Sequence, residues 1–230
     1  DALALLDDPS FVARVERILV FSSTELDLVR RACISSPAAR LVNVNFALRV
    51  HPLAAQMPLP GDSRPSILVV ADWRASASDP RLLAQAELLA TELPSVGVHL
   101  IGPGAEGVRP GKWANRIGIS ASMDLWRWMA GATAVIDLAG DGPLATRTLE
   151  ALLLQVPVLA PVGSVAARGH LEHSSGGFVF NAYQDLVASI RTLIESTRGR
   201  ELARRGHDYA VSHYGNATTF CEALLADFSR

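Results

Sequence analysis

Apolar runs rich in β-branched residues alternate along the chain with amphipathic stretches of helical length. "RILVFSS" (17–23) reads as a buried strand. "STELDLVRRAC" follows as a helix, with Ser22 and Glu25 at capping-box spacing. "ARLVNVNF" (39–46) predicts a second strand, and the Pro-rich, aperiodic "HPLAAQMPLPGDSRP" (51–65) reads as a linker. Beyond it the pattern predicts strand "SILVVADW", helix "DPRLLAQAELLATELP", strand and turn "VGVHLIGPG" and strand "NRIGIS". Helix "MDLWRWMAGA", strand "TAVIDLAG", helix "PLATRTLEALLLQ", strand "VPVLAP" and short strand "GGFVF" come next, and two or three helices fill 183–230. Such alternation predicts an α/β fold with a doubly wound, mostly parallel, Rossmann-like sheet covered on both faces. Ligands of these sheets bind beyond the carboxyl ends of the strands. The loops after Val70, Ile101, Ile119, Leu138 and Ala160 are therefore the places to look.

Composition narrows the class. The 230 residues are 49% hydrophobic and 19% charged, enough for a real core and unlike a disordered chain. A net charge of -2 without a basic stripe argues against nucleic-acid binding. Cys33 and Cys221 lie far apart and suggest neither a disulfide framework nor a zinc site. A cytoplasmic setting is expected, with peripheral membrane association compatible with it. No apolar run reaches the length of a bilayer-spanning helix. The chain opens at Asp1 with no signal-peptide pattern, as a piece of a longer protein would.

The stretch "GDGPLATRTLEALLLQVPVLAP" (140–161) carries the first candidate chemistry. Pro143 stands where a first helical turn favours proline. The free N–H groups of that turn, at the strand ends, suit an anion such as phosphate. Glu150 lies about two turns in, and a carboxylate accepting from two adjacent hydroxyls is a natural ribose clamp. The plainer alternative is a solvated surface carboxylate with Arg147 as its i−3 partner. His170 and His173, at i, i+3, lack a third clustered ligand, so no metal is expected. Of Trp126 and Trp128, flanking Arg127, one is expected to be buried; Trp73 is expected in the core. Ser22–Ser23 lacks a nucleophile elbow, and "IGPGAEG" lacks the Lys-Ser/Thr pair of a P-loop.

"LEALLLQVPVLAPVGS" (149–164) resembles the helix–strand–loop core of the group 1 (family 4-like) nucleotide-sugar glycosyltransferases of GT-B fold. Their E-x7-E motif has its second Glu at the head of "EAMACGxPVVA". Glu150, Ala151, Leu152, Pro157, Val158, Ala160 and Gly163 stand at matching places. "LEHSSGGFVF" (171–180) is similar to the family's "xEHGxNGxLV", and "HLIGPG" to its "LxIxGxGP" turn. "NRIGISASMDLWRWMAGATAVIDL" and "ERILVFSSTELDLVRR" resemble two further family segments, so the likeness covers most of the chain. It implies that Glu150 binds the ribose hydroxyls. It also implies that the turn around Gly142, Pro143, Leu144 and Thr146 faces the sugar or diphosphate. Ile117 and Ile119 would meet the base, Gly102 and Gly104 would border the nucleotide, and Gly163 stands in the family's Gly-containing loop. By the same resemblance, residues 1–50 are a remnant of the acceptor-side domain, 51–65 a linker, and 66–230 the C-terminal, donor-binding half.

The departures are specific. Gly142 occupies the place of the family's first Glu, with Asp141 one residue away. The family's "GRxxxxKG" is replaced by "ADWRASASDPRL", which has no Lys; Arg74 is then the candidate diphosphate cation, with Arg81 the other Arg nearby. The family's "PNG" at the end of the bridging strand is replaced by "VNVNFAL". The reaction implied is retaining transfer of a hexose from a nucleotide diphosphate sugar to a glycan, lipid or protein acceptor, with no cofactor and no metal. The fragment by itself is expected to bind nucleotide weakly and to turn nothing over. The alternatives are a non-catalytic GT-B half acting as an interaction or chaperone-like subunit, and a flavodoxin-like or response-regulator-type domain.

Overall fold

A computed structural model describes residues 17–20, 40–43, 64–74, 80–108, 114–117, 122–138 and 145–215, with 218, 221, 222 and 225. The chain divides into two compact units, one formed by Asp1–Leu48 with Ser212–Arg230 and the other by Arg49–Val211. In the first, β1 (Arg17–Val20) and β2 (Arg40–Asn43) pair in parallel, with Arg17 beside Arg40. The helix expected after β1, with its capping box, lies outside the described residues.

The second unit is built on a six-stranded sheet in which every pairing is parallel. Its strands are β3 (Ser66–Val70), β4 (Gly97–Ile101), β5 (Ala114–Ile117), β6 (Ala134–Asp137), β7 (Val158–Pro161) and β8 (Gly177–Phe180). Their spatial order is β5-β4-β3-β6-β7-β8. The order runs one way from β3 to β5 and the other way from β6 to β8, so it reverses between β3 and β6. The helices are α1 (Pro80–Glu92), α2 (Ser122–Ala130), α3 (Thr146–Leu153), α4 (Val165–Ser174), α5 (Tyr183–Glu195) and α6 (Arg198–Tyr214).

The central strand shows why the sheet is covered on both sides. Ile67 and Val69, with Ala71 just beyond the strand, join one core cluster with Leu89 of α1, Leu93 just after it, and Ile190 and Leu193 of α5. Leu68 and Val70 join the other, with Met129 of α2, Leu152 of α3, Leu171 of α4 and Ala210 of α6. Successive strand side chains point to opposite faces, so an unbroken apolar run is stable only if both are packed. Each fully buried Leu or Ile contributes about 1.5–3 kcal/mol. Trp73 belongs to the first cluster and donates its indole N–H to the Ile101 carbonyl at 2.9 Å. Core packing is therefore its role.

Two expectations need correction. The hydrophobic pattern predicts nothing between β7 and β8, yet α4 fills that interval. Parallel neighbours require a crossover, and α4 supplies it with small residues that give little periodic contrast; Ala166 and Ala167 are buried in it. Trp126 and Trp128 are both half-buried, where one was expected to be buried outright. Trp128 lies against His99 of β4, ring centroids 5.2 Å apart.

His99 is buried, and its Nδ1 has no hydrogen-bond partner. Burial, and then the Arg64 cation, hold its imidazole below the usual histidine range. The fold thus prefers the neutral ring, while the unfolded chain takes up a proton near the ordinary value of about 6.5. Stability from this group is full above that pH and declines below it. We expect the melting temperature to fall between pH 7.5 and 5.5, and His99→Leu to shrink that fall. An unchanged pH dependence in thermal melts of the variant would contradict this role.

Candidate functional site

Backbone register sets the rim of the sheet. Ile117, Ile101, Val70 and Asp137 lie abreast at the carboxyl ends of β5, β4, β3 and β6. At the usual strand spacing this row is about 14 Å long. After β3 the chain leans toward β4: Ala71 donates to the Ile101 carbonyl at 3.1 Å, and Trp73 and Arg74 donate to the Pro103 carbonyl at 2.8 and 3.2 Å. The approach is close enough to demand glycine. A Cβ on Gly102 (φ 138°) would stand 1.8 Å from the Ala71 carbonyl oxygen. One on Gly104 (φ 82°) would stand 2.7 Å from the Arg74 nitrogen. After β6 the chain goes on to α3 and β7, on the other side. The two connections diverge where the strand order reverses, the place where open α/β sheets hold ligands.

Helix α3 begins there. Ala145 precedes it in the left-handed region (φ 42°), and Thr146 is its first residue. Thr148 in the first turn donates from Oγ1 to Oδ2 of Asp137 at 2.6 Å. Asp137 ends β6 and is buried, as is Thr148. This bond fixes the first turn of α3 beside the end of β6. Glu150 is also buried, only 5% exposed, and its Oε2 accepts from Nη1 of Arg147 at 2.6 Å. The expected i−3 partner is present, but the solvated carboxylate is not. Glu150 is a buried charge held by a half-buried guanidinium whose side chain is 38% exposed.

The remaining candidates scatter along the rim. Arg74 is exposed and holds Asp72 through two contacts, Nε–Oδ1 at 3.0 Å and Nη2–Oδ2 at 2.7 Å. Ile117 ends β5, an edge strand three positions from β6. Gly163 sits in the turn from β7 to α4, closed by a bond from the Ser164 amide to the Pro161 carbonyl. Asp141, Gly142, Pro143, Leu144 and Ile119 lie outside the described residues. His170 and His173 are separately engaged: the first by the Tyr209 hydroxyl at 3.0 Å, the second by the Gly169 carbonyl at 2.7 Å. No group of three metal-ligating side chains, and no helix long and apolar enough to cross a membrane, occurs among the described residues.

No family model matches the sequence, and no curated protein matches it. The fold, by contrast, has many counterparts. Sucrose-phosphate synthase from Thermosynechococcus elongatus superposes with a TM-score of 0.75 at 16% identity, over 100% of this chain and 62% of its own. HepE of Anabaena, solved with UDP-glucose, gives 0.71 at 16% identity, over 96% and 66%. WaaG, a glycosyltransferase of lipopolysaccharide biosynthesis, gives 0.64 at 14% identity, over 90% and 61%. The fold is that of the GT-B glycosyltransferases. The chain spans about two thirds or less of the length of each of these structures.

Within this GT-B fold, Asp137 and Thr148 are the residues that sequence reasoning missed. The signal was available: an acidic residue ends the apolar strand "AVID", and a threonine lies eleven positions later in a helix. Removing the hydroxyl strips the Asp137 carboxylate of a charge-assisted bond, which costs about 1.5–3 kcal/mol. Thr148→Val should lose stability of that order in urea unfolding, and Thr148→Ser well under half of it. A Thr148→Val variant as stable as the parent would show that this bond does not hold α3.

Proposed function

We propose that this chain is the donor-binding half of a nucleotide-sugar glycosyltransferase that transfers a hexose to a glycan, lipid or protein acceptor. The observation that carries the reading is the buried Glu150 carboxylate, just over one turn into a helix that starts at the strand-order reversal. A carboxylate there offers its lone pairs to the two adjacent hydroxyls of a ribose. Support comes from the fold, whose counterparts include HepE solved with UDP-glucose. On this reading the turn at Gly142, Pro143, Leu144 and Thr146 faces the sugar and diphosphate. Arg74 supplies one cation, and Ile117 and Ile119 lie toward the base. Gly102 and Gly104 keep the neighbouring turn low beside the nucleotide, and Gly163 shapes the loop after β7.

Transfer breaks the bond between the anomeric carbon and the diphosphate oxygen, and the nucleoside diphosphate leaves with the electron pair. Backbone N–H groups and a cation aimed at the diphosphate stabilise that leaving group, because they meet the charge as it develops. Retention of configuration is part of the proposal by resemblance. The acceptor's hydroxyl oxygen forms the new bond to the anomeric carbon, and its proton is released with the nucleoside diphosphate. The acceptor is held by the rest of the protein, so donor binding is assigned to this chain and turnover to the whole protein. Gly142, standing where the resemblance calls for a Glu, favours a second reading: a half whose donor site has decayed into an interaction module.

Calorimetric titration with UDP-, GDP- and ADP-sugars separates the two. One of the three should bind, and Glu150→Gln should weaken it about tenfold or more, the loss of hydrogen bonds to a charged acceptor. No heat with any of them, or an affinity indifferent to Glu150→Gln, would favour the decayed site.

A further inference from the structure

We propose that Arg147 is a ligand of the donor diphosphate, and that it serves as the counter-ion of Glu150 until a nucleotide arrives. The inference rests on the donor-site reading above. The Glu150 side chain is 7% exposed, and its charge is held by one contact from Arg147 Nη1. A buried carboxylate without a partner is costly, so Glu150 without a nucleotide needs this cation. To clamp a ribose the carboxylate must turn lone pairs toward two hydroxyls. A bound nucleoside therefore competes with Arg147 for Oε2, and the hydroxyl bonds replace it as the partner of the buried charge. The displaced guanidinium needs another anion.

The diphosphate is that anion, and the helix places Arg147 to meet it. Arg147 is the second residue of α3, and its neighbour Thr148 is bonded to Asp137, the last residue of β6. The first turn of α3 thus stands at the carboxyl end of the sheet. An i, i+3 relation puts Arg147 on the same side of the helix as Glu150, about 4.5 Å nearer its N-terminus. A guanidinium has five N–H groups, and one of them is engaged by Glu150. The rest form a planar fork that matches phosphate oxygens. Arg74 is already bidentate on Asp72, and the sequence has no Lys between β3 and α1. Arg147 supplies a second positive charge from the helix itself.

The test is titration of the chain with UDP, GDP and ADP and, in parallel, with uridine, guanosine and adenosine. Arg147→Gln should weaken the diphosphate that binds best about tenfold or more and leave its nucleoside bound at least as tightly as by the parent, because the competitor for Oε2 is gone. Arg147→Lys, which keeps the charge, should recover part of the loss. The salt sensitivity of diphosphate binding should be lower in Arg147→Gln than in the parent. Equal losses for nucleoside and diphosphate would overturn the proposal and leave Arg147 as a structural partner of Glu150. So would no loss for either, in a variant whose melting shows that it folds. Unchanged nucleoside and diphosphate affinity in Glu150→Gln would overturn the ribose assignment beneath it, whatever Arg147 does.

Discussion

One buried hydrogen bond fixes helix α3 against the end of the central sheet. Thr148 donates a hydrogen bond from its hydroxyl to Asp137 at 2.6 Å, and this joins the first turn of α3 to the last residue of β6. Both partners are buried, and a bond to an ionised acceptor out of water is stronger than its neutral counterpart. Everything α3 carries takes its place from that contact. Glu150 lies two residues further along the same helix. The C-terminal end of α3 is held as well, since His207 of α6 lies 2.9 Å from the Leu153 carbonyl through its Nδ1. Behind it, Gly176 and Gly206 meet so closely that a Cβ on Gly176 would stand 2.6 Å from the Gly206 Cα. A helix fixed at both ends presents its charged pair at a set position, as a preorganised site requires.

The second constraint is the divergence of two chain paths. The residues after β3 are drawn over β4 by amide bonds to Ile101 and Pro103, and Gly102 and Gly104 allow that approach by having no side chain. Sheet order makes the switch point, and these contacts fix the segment on its β4 flank. The positive φ values of the two glycines thus have a structural cause, whatever else borders the turn.

Much of the fold was legible in the sequence because the central strands are uninterrupted apolar runs, Ile67–Val70 above all. Such runs fit only a sheet packed on both faces. Helix α4 was not legible, since Ala, Gly, His and Ser give a weak contrast between its faces. At the site, the position of Glu150 was legible and its environment was not. An Arg three residues away on a helix reads as a solvated pair, and nothing local tells that the helix is enclosed on nearly all sides by its neighbours. The burial of Thr148, Leu149, Glu150, Ala151 and Leu152 in succession is a tertiary effect. The Asp137–Thr148 bond was illegible for the same reason, because it joins a strand end to a helix through space.

The proposed nucleotide site lies at the strand-order reversal between β3 and β6. Amide chemical-shift mapping of the isotope-labelled chain during titration with UDP, GDP and ADP tests it most directly. The nucleotide that binds should perturb residues 71–74, 102–105 and 145–150 most strongly. Perturbations concentrated at the opposite ends of the strands, around Ser66, Gly97, Ala134 and Val158, would contradict it.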